Sequence, residues 1–113
     1  MSIDGIWTGE VYGPFGWDNR GVYILENGRI MGGDNRQYAS GTYRQQGDKV
    51  TAVFTAHYYG PPRAVFGERR EENTIELDGT VAEREINGVI RRPDSSRFDL
   101  QIRLTKRMDL PTA

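Results

Sequence analysis

The side chains able to do chemistry are few. His57 is the only histidine, and an imidazole is the one side chain whose ordinary pKa suits proton transfer near neutral pH. A catalytic triad or a histidine-based metal site needs partners that the sequence does not place beside it, so a hydrogen-bonded strand residue is expected at this position. With no cysteines, thiolate nucleophiles, thiolate metal sites and disulfides are excluded. Asp34-Asn35, following Gly32-Gly33, lacks the spaced run of acids that a hard cation requires and reads as a turn held by an Asx hydrogen bond. Glu68, Glu71 and Glu72 are interleaved with Arg69 and Arg70, and the opposed burial that would split carboxylate pKa values for acid–base work is not a property sequence displays. Gly13-Pro14-Phe15-Gly16-Trp17 has neither the lysine nor the following helix of a phosphate cradle. No enzymatic activity, no metal and no cofactor are expected.

The elements that position these residues are strands. Thr74-Ile75-Glu76-Leu77-Asp78-Gly79-Thr80-Val81 and Arg97-Phe98-Asp99-Leu100-Gln101-Ile102-Arg103-Leu104-Thr105 alternate polar and apolar residues without a miss, the mark of strands with one dry face. No stretch has a helical period. Strands are expected over about 6–12, 21–25, 29–31, 38–45, 50–59, 74–83, 85–91 and 97–106. Asn27-Gly28 supplies a type I′ hairpin turn, and residues 63–73 form the one long connection. Eight short antiparallel strands joined mainly by tight turns suit a closed up-and-down barrel, because closure removes exposed edges; a two-sheet sandwich is the alternative. Residues 1–107 are expected to form this single domain and 108–113 a frayed tail.

Alternation assigns Trp7, Gly9 and Val11, then Ala52, Phe54, Ala56 and Tyr58, then Ile75, Leu77, Gly79 and Val81, then Phe98, Leu100, Ile102 and Leu104 to the interior. An eight-stranded barrel is just wide enough to be filled by side chains or to hold one small ligand. Small inward residues such as Gly9, Ala39, Gly41, Ala52, Ala56, Gly79 and Gly88 either accommodate larger neighbours or line a hollow. A ligand cavity, if present, is expected around Trp7, Phe54, Tyr58, Leu77 and Leu100, with Tyr23 or Tyr43 as polar anchor. Ile6, Tyr12, Val53 and Val89 then point outward as candidates for a homodimer face.

Composition narrows the partners. The chain has 113 residues, and fifteen basic against sixteen acidic residues leave a net charge of −1, so no general positive field collects nucleic acid. Arg69-Arg70, Arg91-Arg92 and Lys106-Arg107 are expected as solvated strand ends. The amino-terminal Met1-Ser2-Ile3-Asp4-Gly5 is neither basic nor apolar, and no run approaches the ~20 apolar residues of a membrane-spanning helix. The chain therefore reads as soluble and cytoplasmic, without direct contacts to nucleic acid or membrane.

Asp4-Gly5-Ile6-Trp7, the hairpin Gly21-Val22-Tyr23-Ile24-Leu25-Glu26-Asn27-Gly28-Arg29-Ile30-Met31-Gly32-Gly33-Asp34 and Tyr38-Ala39-Ser40-Gly41-Thr42-Tyr43, followed by the aromatic-rich fifth strand, resemble the GrlR-like negative regulators of type III secretion. Gly5-Ile6-Trp7 also looks like the G-x-W that opens lipocalins. The resemblance covers almost the whole chain. It implies a lipocalin-like barrel that dimerises and, without catalysis, binds and restrains a transcriptional activator of secretion genes. In that family an acidic Glu-Asp-Glu-Asp run after the fourth strand holds the activator. Here the matching stretch is Gln45-Gln46-Gly47-Asp48, of which only Asp48 is acidic. Candidate partner-binding loops are thus Phe15 and Trp17, and Gln45, Gln46 and Asp48, with a carrier of a small apolar ligand as the alternative function.

Overall fold

A computed structural model describes residues 2–62, 70–93 and 99–112. Its elements are β1 (Gly5–Gly13), β2 (Gly16–Glu26), β3 (Arg29–Gly33), β4 (Gln37–Gln46), β5 (Lys49–Tyr58), β6 (Glu72–Ala82), β7 (Glu85–Arg91) and β8 (Leu100–Met108). Each strand pairs with the next in antiparallel register, and β1 also pairs with β8, closing the barrel. The described residues contain no helix. The barrel, not the sandwich, is the architecture. Closure satisfies strand edges that a sandwich would leave open.

Expected and observed strands differ in instructive places. β2 starts at Gly16 rather than 21, because the β1–β2 register shifts between Gly9 and Glu10 and one extra residue, Arg20, is absorbed as a bulge. The bulge is pinned by Gly21, whose φ of 102° suits glycine and whose N–H donates to Asn19 Oδ1 at 2.6 Å. The β2–β3 turn has positive φ at both Asn27 (54°) and Gly28 (82°), as a type I′ turn demands. β8 runs through Met108, which pairs with Ile6, so the tail begins one residue later than expected. The start of the last strand at 97, the inward assignment of Phe98, and Glu68 and Arg69 lie outside the described residues.

Among the described residues the inward sets hold. Trp7, Gly9, Val11, Ala52, Phe54, Ala56, Ile75, Leu77, Gly79, Val81, Ile102 and Leu104 are buried, Tyr58 and Leu100 half-buried. The small residues serve mainly to admit large neighbours: a methyl group on Gly9 would stand 3.0 Å from the Leu104 side chain, and one on Gly79 2.9 Å from that of Ile86.

Because the connections are up-and-down, the barrel has two unlike ends. The β2–β3, β4–β5 and β6–β7 turns share one end with the amino-terminal residues, and here Ile3, Trp7, Leu25, Val50 and Ile86 form a sealed apolar layer. Trp7 is 1 % exposed and donates its indole N–H to the Ile3 carbonyl at 3.0 Å. The Tyr43 hydroxyl donates to Asp4 at 2.7 Å. The β1–β2 and β3–β4 turns lie at the other end, with the strand ends Tyr58, Glu72, Arg91 and Leu100, and there the interior is looser and partly polar.

Candidate functional site

Toward that second end the side chains leave a cavity of about 50 Å³. Its apolar walls include Val11, Phe54, Ile75, Leu77, Ile102 and Leu104, and its polar groups are Arg20, Gln37, Tyr58 and Asn73. A water molecule's share of liquid is ~30 Å³, whereas a dry cavity that takes benzene measures ~150 Å³. The space therefore suits one or two waters or a very small molecule.

Of the five residues expected around a cavity, Phe54, Tyr58 and Leu77 line it. Trp7 lies in the sealed layer below, and Leu100 packs against the core from a half-buried position, because the free space is confined to one half of the barrel. Neither expected phenolic anchor is available. The Tyr23 ring lines the cavity, but its hydroxyl donates to the Arg20 carbonyl at 2.8 Å. The Tyr43 hydroxyl is held by Asp4, and burial, reinforced by that hydrogen bond, pushes its pKa up to about 12.

The polar groups that do reach the interior were hidden by their polarity. Gln37 (8 % exposed), Asn73 (5 %) and Arg92 (2 %) are buried. Arg92, expected to be solvated, continues the inward parity of Ile86, Gly88 and Ile90 and so points into the barrel rather than to water. Arg20 reaches the cavity as the bulge residue of β2, and its guanidinium is bridged by the exposed Asp18 at 3.2 Å.

A second candidate lies on the outside, at the β1–β2 hairpin. Phe15 stands at the turn, fully exposed. Trp17 sits on the strand and not in a loop, paired with Tyr12. The two rings meet edge to face, their centroids 5.3 Å apart and their planes at 67°. Arg103 lies 4.2 Å over the Trp17 ring while its Nε and Nη2 donate to Glu10 Oε1 at 3.2 and 3.1 Å. The ring pair is thereby fixed before any partner arrives. Aromatic pairs and cation–π contacts of this kind contribute about 0.5–1.5 kcal/mol each.

Gln45, Gln46 and Asp48 lie at the opposite, sealed end, beside the β4–β5 turn. Gln45 donates to the Gly47 carbonyl at 3.1 Å, and the Asp48 carbonyl accepts from Val81 N at 2.7 Å. These residues share no surface with Phe15 and Trp17.

The four outward candidates are also dispersed. Tyr12 belongs to the aromatic hairpin. Val53 is flanked by Thr42 and Glu76, and Val89 by Asp78 and Gln101. Only Ile6 has apolar outward neighbours on both sides: Met108–Ile6–Ile24–Met31 is a continuous row across β8, β1, β2 and β3.

His57 is a cross-strand partner of Glu72, with Nδ1 3.5 Å from its carboxylate, and stacks on Tyr38 with centroids 5.1 Å apart. Asp34 accepts from the backbone N–H of Arg36 and Gln37 at 2.8 and 3.0 Å, the expected Asx arrangement. Among the described residues no group of three or more His, Cys, Asp or Glu side chains could hold a metal.

No protein-family model matches the chain, and no curated protein matches it.

Proposed function

We propose that this barrel is a non-enzymatic binding protein that recognises a protein partner through its β1–β2 hairpin. The observation that carries the reading is Phe15, fully exposed beside Tyr12 and Trp17, with Trp17 locked under Arg103 and Arg103 locked by Glu10. Aromatic residues and arginine dominate the energetics of protein interfaces, and ring pairs already held in place lose little conformational entropy on docking. His57, the one histidine, is engaged with Glu72 on the outer surface, which favours binding over catalysis.

The resemblance to GrlR-like regulators supplies the finer proposal, that the partner is a transcriptional activator of type III secretion genes held inactive by this protein. With no acidic run at Gln45-Gln46-Gly47-Asp48, recognition passes to the aromatic hairpin at the other end. A homodimer belongs to the same proposal, with the row Met108–Ile6–Ile24–Met31 as its contact face.

Co-purification with a tagged activator of this class tests the reading. Wild type is retained, and Phe15→Ala and Trp17→Ala each reduce retention at least tenfold while the far-ultraviolet spectrum stays unchanged. Undiminished retention of both variants would remove the hairpin from the interface.

A further inference from the structure

Among the described residues of the cavity wall, Asn73 alone has a buried, unanswered acceptor. It faces Ala56 across the β5–β6 ladder, its side chain turns into the barrel, and it is 5 % exposed. Its carboxamide oxygen accepts no hydrogen bond from any described residue. A buried acceptor left in this state is costly, and the cavity it lines is where a donor could reach it.

The chemistry around Asn73 defines what fits. Arg20 also reaches the wall, but Asp18 already balances its charge at 3.2 Å, so no net cation calls for an anionic head group. Beyond the polar groups the wall is hydrocarbon, with Ile75, Leu77, Ile102 and Leu104 among its members. At about 50 Å³ the space admits about two or three non-hydrogen atoms.

We propose that the cavity is a binding site for a small neutral amphiphile of the short primary alcohol class, its hydroxyl donating to Asn73 Oδ1 and its alkyl end lying against Ile75 and Leu77. This site is independent of the hairpin and of any protein partner.

The test is an NMR titration of the full chain with ethanol, with formate, and with propane, in which a methyl replaces the hydroxyl. The expected result is saturable shifts of the Asn73 side-chain amide and of the Ile75 and Leu77 methyl groups with ethanol, and binding of formate and propane weaker by about tenfold, the value of one hydrogen bond. In Asn73→Leu the preference for ethanol over propane disappears. Because the three-probe comparison uses wild type alone, it stands even if that variant does not fold. Three results overturn the proposal: formate binding best, which would assign the site to Arg20; propane equalling ethanol, which would leave Asn73 no role; or no saturable shift with any probe, which would mean that Asn73 takes water only. None of them touches partner capture by Phe15 and Trp17.

Discussion

The indole N–H of Trp7 donates to the main-chain carbonyl of Ile3 across 3.0 Å, four residues back. That bond folds the chain preceding β1 over the barrel end, so that Ile3, which lies outside every strand, becomes 2 % exposed. Asp4, next in the chain, accepts from the Tyr43 hydroxyl and from Asn27 N–H at 2.7 and 3.2 Å. One short segment is thus tied to β1, β4 and the β2–β3 turn, and it covers this end of the barrel.

Removing the plug should therefore be a core mutation, although its site is near the terminus. Ile3→Ala is expected to destabilise by about 2–5 kcal/mol, the range for truncating a buried isoleucine. Urea denaturation should show a lower midpoint with an unchanged slope. A stability loss below about 0.5 kcal/mol would mean that the segment is not part of the folded unit.

Tyr43 gives a pH signature. Burial and the hydrogen bond to Asp4 raise its pKa to about 12, against 10.0 for an ordinary phenol, so the folded state holds the proton more tightly than the unfolded chain. The stability this contributes is complete below pH 10 and is lost as pH rises through the folded pKa. Denaturation midpoints of wild type should fall between about pH 10 and 12, and Tyr43→Phe should lose that component of the decline. Equal slopes for the two proteins across this interval would contradict the assignment.

Alternation made the barrel wall legible because burial on one face of a strand imposes a parity that sequence repeats: Trp7, Gly9, Val11 and Ile75, Leu77, Gly79, Val81 are all buried. The same criterion concealed the cavity's polar groups. A polar residue at an inward position looks like the end of a strand. The expected fourth and sixth strands begin at Tyr38 and Thr74, one residue after the buried Gln37 and Asn73, and the seventh ends one residue before the buried Arg92. In β2 the bulge at Arg20 shifts the parity, so Asp18-Asn19-Arg20 shows no alternation and reads as loop. The hidden positions lie toward one end because that is where apolar packing gives way to hydrogen-bonding groups.

The outer wall yields the last prediction. Isologous dimers bury the same patch on both subunits, and the patch must be apolar over several adjacent strands to exclude water. Ile24 meets this condition: it is flanked by Ile6 and Met31 in register, with Met108 beyond Ile6. Val53 is more exposed but sits between Thr42 and Glu76. Ile24→Glu should then convert a dimer to a folded monomer, because two copies would bury two unpaired carboxylates, whereas Val53→Glu should leave the dimer intact. Light scattering on the three proteins distinguishes the outcomes. A monomeric wild type rejects the dimer altogether, and a monomer produced by Val53→Glu but not by Ile24→Glu would move the contact to β4, β5 and β6.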